Sequence, residues 1–142
     1  METEFGVHLT HGPPTEDGFF YDAYTGSDKF AESNYKTLEK AAIKQMNAKQ
    51  KFERLVLTKE DALELFKENP FKLQTIKGKV KDGAKVTAYR NGDLIDLCTG
   101  PHLASTGNIK AFKIMRSGAS YWLGNQENDS LQRIYCVSFP DK

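Results

Sequence analysis

Apolar positions along this chain recur at two spacings, and the switching between them divides it into short strands and helices. Phe5 to Thr10 reads as a short strand closed by Gly12-Pro13-Pro14. The Glu16-Asp17-Gly18 turn leads into Phe19-Phe20-Tyr21-Asp22-Ala23-Tyr24, an aromatic strand pattern. From Tyr35 to Lys51 the apolar positions Tyr35, Leu38, Ala42 and Met46 return at helical spacing, with Ser33 or Asn34 as cap. Phe52 to Leu57 has strand propensity again. Thr58-Lys59-Glu60-Asp61 resembles a capping box with Asp in place of Glu, and it opens a short helix through Leu63 and Phe66. Asn69-Pro70 is expected to end that helix, with Phe71 to Ile76 as a strand and a lysine-rich loop after it.

Two hairpins follow from turn chemistry. Val86 to Tyr89 and Leu94 to Leu97 flank Asn91-Gly92, a strong hairpin signal. Ile109 to Met115 and Ala119 to Leu123 flank Ser117-Gly118, and Leu131 to Phe139 supplies a last strand. Strands paired by hairpins, with helices inserted as a block, predict an α+β fold. We expect a largely antiparallel sheet with two or more helices packed on it, forming a single domain over 1–142.

Composition narrows the functional classes. The chain has 142 residues, 39% hydrophobic and 27% charged, with a net charge of +1. That balance argues against a protein that coats duplexes by neutralising many phosphates. Local patches remain: Lys36, Lys40 and Lys44 line one helix face, and Lys77, Lys79, Lys81 and Lys85 crowd a loop. A solvated surface is the simpler reading of each. No apolar run approaches the ~20 residues of a membrane span, and no signal-peptide pattern opens the chain. Cys98 and Cys136 are the only cysteines and lie far apart, which predicts a reducing, cytoplasmic setting.

The chemistry concentrates in Asp93-Leu94-Ile95-Asp96-Leu97-Cys98-Thr99-Gly100-Pro101-His102. Gly100-Pro101 breaks regular structure, so Cys98 and His102 share a turn leaving a strand. A rigid strand fixes where such side chains point. Cys98 has three readings, as nucleophile, metal ligand or small pocket wall, and the first is the weakest without a demonstrated base. Zinc requires further donors, for which His8 and His11 are the remaining histidines. His102 is the best general-base or water-positioning candidate, because its charge is adjustable near neutral pH. Asp96 lies one strand period before Cys98. Lys72 has the charge to stabilise an oxyanion, and Tyr21 has a hydroxyl to offer a pocket. A solvated lysine and a packed aromatic are their ordinary alternatives.

Five blocks carry a resemblance. Leu94 to His102, Gly12-Pro13-Pro14 with Gly18 to Asp22, Ser120-Tyr121-Trp122-Leu123-Gly124 and Leu131-Gln132-Arg133-Ile134-Tyr135 occur in the order found in the editing domain of threonyl-tRNA synthetases. The wording of Ile95-Asp96-Leu97 and Ser138-Phe139-Pro140-Asp141 resembles the eukaryotic type. The resemblance implies hydrolysis of serine wrongly joined to threonine tRNA, by an activated water. It places Cys98, His102, Lys72 and Asp96 in the catalytic group and Tyr21 in the substrate pocket.

Other implications follow from the same resemblance. The partners would be the tRNA acceptor end, seryl and threonyl adenosine, and the rest of a synthetase chain that is a homodimer. ATP and magnesium would serve a ligase domain elsewhere in that chain. No cofactor is expected in this segment, and zinc on Cys98 and His102, as in related alanine-editing proteins, is the less favoured version. The family also carries a His-x-x-x-His pair on a helix preceding the first strand. Met1-Glu2-Thr3-Glu4-Phe5 resembles the end of that helix, so we expect a segment lacking it, of weak or no activity alone. A module that binds the acceptor end without hydrolysis is the competing expectation.

Overall fold

The computed structural model describes residues 1–141. In chain order its elements are α1 (Glu2–Phe5), β1 (His8–His11), β2 (Pro14–Thr15), β3 (Gly18–Tyr24), α2 (Glu32–Ala48), β4 (Glu53–Leu57), α3 (Lys59–Leu65), α4 (Pro70–Lys79), β5 (Val86–Asn91), β6 (Leu94–Leu97), β7 (Ala111–Tyr121) and β8 (Ser130–Phe139). Every strand pairing is antiparallel, as the α+β expectation requires. The chain gathers into two compact units, one of Met1–Gln45 with the segment from Ile109 onward, the other of Met46–Asn108.

The first unit is a sheet of order β1-β3-β8-β7, with β2 paired to β3. Strand alternation sends Phe19, Tyr21 and Ala23 to the same side as Ile134 and Cys136 of the facing strand. There they meet Leu38 and Tyr35 of α2, together with Val7, Leu9, Phe30 and Ile114. Burial of this shared apolar surface is the main force holding helix to sheet. α2 starts at Glu32, earlier than expected, so Ser33 and Asn34 lie inside its first turn and do not precede it; the Asn34 Oδ1 reaches back to accept from the Ala31 N–H at 2.9 Å. On the other sheet face the Asp22 carboxylate accepts from Nε and Nη2 of Arg133, at 2.7 and 2.9 Å, while the guanidinium lies 3.9 Å over the Phe20 ring.

The second unit is a three-stranded sheet of order β4-β5-β6 carrying α3 and α4. Ala62, Phe66, Ile76, Val86 and Ala88 form its core. Thr58 caps α3 as expected, its hydroxyl accepting from the Asp61 N–H at 3.1 Å.

Three expectations are corrected. The strand forecast from Phe5 begins only at His8, because Gly6 in the left-handed region (φ 62) ends a single helical turn over Glu2–Phe5. The strand expected over Phe71 to Ile76 is α4: Asn69 accepts from the Phe71 and Lys72 N–H groups at 3.1 Å each, and Pro70 sits where a helix needs no donor. The hairpin expected at Ser117-Gly118 is absent, since β7 runs unbroken through both residues against β8. There the Ser117 hydroxyl donates to Phe30 O at 2.9 Å and accepts from the Tyr35 hydroxyl at 2.8 Å. The reversal comes instead after Tyr121, with Asn128 donating to Trp122 O at 2.9 Å.

Candidate active site

The β5–β6 hairpin sets the frame of the candidate site. Its two-residue loop is Gly92-Asp93, with Asn91 opposite Leu94 and Gly92 at φ 61, so Tyr89 lies opposite Asp96. Val86 and Ala88 point into the core, and Tyr89 therefore points to the opposite sheet face.

Beyond Leu97 the chain becomes the turn that bears Cys98 and His102. Its start is held by the Cys98 N–H donating to Thr87 O at 3.2 Å. Its far end is held by Phe52 N–H donating to Ala104 O at 3.1 Å and by a bridge between Lys51 and Ser105. Between these anchors the peptide Gly100-Pro101 is cis, Gly100 has φ 73, and its N–H donates to the Cys98 sulfur at 3.3 Å. A side chain on Gly100 would collide with the Tyr89 hydroxyl.

His102 is exposed on one side and packed on the other. Its ring stacks on Tyr89 at 4.1 Å and 9°, and Phe52 meets it edge-on at 5.2 Å. Partial burial lowers the imidazole pKa below its ordinary 6.5, an effect that the nearby Asp96 carboxylate opposes. The ring is consequently neutral at physiological pH, with a nitrogen lone pair available to accept a proton.

Lys72 was expected on a strand; it stands in the first turn of α4, positioned by the Asn69 cap, and is only 4% exposed. Its ammonium pairs with Asp96 at 2.5 Å. The Asp96 carboxylate also accepts from the Leu97 N–H at 2.9 Å. Four of the residues singled out from sequence thus fall within one unit: Lys72 and Asp96 as a pair, Cys98 and His102 on the adjoining turn. Tyr21 belongs to the other unit, half-buried on β3 against the core of that sheet. His8 and His11 also belong to the first unit, on β1.

Among the described residues no three or more His, Cys, Asp or Glu side chains gather in a way that would hold a metal ion. Cys98 and His102 supply two of the three or four donors that a zinc site needs. Cys136 is buried in the first core, and burial pushes its thiol up to about 12. It is a packing residue.

Sequence reasoning did not single out Tyr89, Phe52 and Asn69. Tyr89 was legible as a strand residue only, and its role depends on the hairpin register. A loop at Asn91-Gly92 would have set it opposite Leu94.

A β-hairpin leading into a Cys-x-Gly-Pro-His turn, beside a buried lysine paired with a carboxylate, is shared with known proteins. Residues 86–135 match the second additional domain of threonyl and alanyl tRNA synthetases. Across 99% of the chain the sequence is 46% identical to the cytoplasmic threonine–tRNA ligase of Saccharomyces cerevisiae, of which it covers 21%. It is 47% identical to the cytoplasmic threonine–tRNA ligase 2 of Mus musculus over 99% of the chain, covering 18% of that protein. A ligase named mitochondrial, from Arabidopsis thaliana, is 42% identical over 100% of the chain and 20% of its own length. The chain is thus similar along nearly its whole length to threonine–tRNA ligases, and it spans about a fifth of the length of these relatives. No helix among the described residues is long and apolar enough to cross a membrane.

Proposed function

We propose that this chain is the proofreading segment of a cytoplasmic threonine–tRNA ligase, which hydrolyses the ester joining serine to threonine tRNA. The observation carrying this reading is the His102 imidazole, stacked on Tyr89 on a turn pinned at both ends, beside the Lys72–Asp96 pair.

The need for a second site is a matter of magnitude. Serine differs from threonine by one methyl, and a synthetic pocket gains only about 1–3 kcal/mol from such a group. A tighter cavity that excludes the methyl can remove what the first site admits. In the proposed step His102 accepts a proton from water as its oxygen attacks the seryl carbonyl. Charge builds on the carbonyl oxygen, and the Lys72 ammonium stabilises it. Collapse breaks the bond to the ribose oxygen, which takes the proton from His102. Serine and free tRNA leave. Asp96 holds the Lys72 ammonium in place, while Cys98 lines the pocket wall. The tRNA acceptor end and the rest of the ligase chain, acting as a homodimer, are the proposed partners. ATP and magnesium belong to the ligase reaction of that longer chain.

The test is deacylation of seryl-tRNA by the full ligase carrying His102→Ala. The expected result is loss of hydrolysis with threonylation intact; unchanged hydrolysis would refute the reading. Running the 142-residue chain beside the full ligase tells a hydrolytic segment from one that only binds the acceptor end.

A further inference from the structure

We propose that Tyr89 is a positioning residue that sets the orientation of His102, an inference that rests on the hydrolytic reading above. Tyr89 meets the catalytic turn at two points. Its ring face lies against the imidazole at 4.1 Å and nearly parallel to it. Its phenol fills the space that a side chain on Gly100 would need, two residues earlier in the same turn. Across the hairpin its partner is Asp96, the carboxylate that pairs with Lys72 and acts on the His102 charge. One cross-strand pair therefore supplies the bed for the imidazole on one strand and the charge beside it on the other.

The stacking geometry has a consequence for the imidazole. A parallel contact restricts rotation of the His102 ring and leaves its edges, where both nitrogens lie, unobstructed by Tyr89. Phe52, meeting the ring at 65°, closes a further direction of escape. A packed, locked rotamer is what a proton acceptor requires, because a displacement of about 1 Å can cost on the order of 10²-fold in rate. Tyr89 sits on β5, the central strand of its sheet, so the bed is among the most rigid parts of the unit.

The contact predicts a spectroscopic signature in the unmodified protein. The His102 ring protons should be shifted upfield by the Tyr89 ring current, and with three histidines in the chain their assignment by His→Gln substitution is direct. Tyr89→Phe should keep the shift, and Tyr89→Leu should abolish it. In the full ligase, Tyr89→Phe should deacylate seryl-tRNA with kcat within about twofold of wild type. Tyr89→Leu should lose about 10²-fold in kcat with KM little changed.

His102→Ala separates the outcomes. If it leaves hydrolysis intact, the hydrolytic reading itself fails. If it abolishes hydrolysis while Tyr89→Leu keeps full kcat, or raises KM alone, the positioning role is overturned. Absence of the upfield shift in the wild type would overturn it as well, and that measurement holds even if Tyr89→Leu does not fold.

Discussion

Asp96→Asn should destabilise the protein more than Lys72→Met, although both remove the same ion pair. The ammonium and carboxylate are 2.5 Å apart, with side-chain exposures of 5% for Lys72 and 22% for Asp96. At an effective dielectric of about 20, charges at this spacing attract by roughly 7 kcal/mol. Desolvation cancels most of that, so the intact pair adds little net stability, whereas breaking it strands one charge. Asp96→Asn strands the more deeply buried member and should cost about 3 kcal/mol. Lys72→Met preserves the packed stem and leaves a carboxylate that reaches solvent and still accepts the Leu97 N–H. Its cost should be about 1–2 kcal/mol. For a chain near this size, ~2–4 °C of melting temperature accompany each kcal/mol. The two variants should therefore melt about 6–12 °C and about 2–8 °C below wild type by circular dichroism, with urea titration giving the same order. Lys72→Met/Asp96→Asn should be more stable than Asp96→Asn alone, because the stranded ammonium is gone. The reasoning fails if the order of the single variants is reversed, or if the double variant shows the sum of the two losses.

Three further outcomes follow. Gly100→Ala forces a side chain into the Tyr89 phenol at φ 73, and should cost about 2 kcal/mol or more in urea unfolding while lowering seryl-tRNA hydrolysis in the full ligase; a neutral effect on both would contradict the packing. In the native chain at pH 8 a thiol reagent should modify Cys98 quickly and Cys136 only on unfolding, because burial holds the latter's pKa near 12; two equally fast thiols would exclude this core. The acid limb of hydrolysis against pH should fall below 6.5, since burial disfavours protonated His102. Asp96→Asn should move it further toward acid, because the carboxylate is what raises that pKa; a limb above 6.5, or a shift toward alkali, would count against His102 as base.

Legibility from sequence tracked how local the deciding interaction is. The α2 helix and the Thr58 cap were readable because periodicity and capping act within a few residues. Asn69-Pro70 misled because the same dipeptide suits the end of one helix and the start of the next. The deciding fact is that the Asn69 side chain caps forward onto Phe71 and Lys72. Ser117-Gly118 misled because turn composition was weighed without the distant partners, Phe30 and Tyr35, that hold Ser117 within a strand. The turn from Cys98 to His102 was legible because Gly-Pro punctuation and reactive side chains coincide there. Lys72 was singled out, but its pairing with Asp96 depends on a helix that sequence read as a strand.

That last error shows how the site is assembled. A strand at Phe71 to Ile76 would have alternated its residues and given Lys72 no reason to be buried. The helix turns it inward from its first turn, and Asn69 fixes where that turn begins. A lysine that is 4% exposed demands a counter-charge, and the hairpin register puts Asp96 where it meets that demand. The same register sets Tyr89 across from Asp96, under the imidazole that the turn delivers. The cap places Lys72, the register places Tyr89 and Asp96, and the turn delivers His102 onto Tyr89. Displacing any of them alters the environment of the imidazole without touching it, which is why the informative substitutions lie at Asn69, Tyr89 and Gly100 as much as at His102.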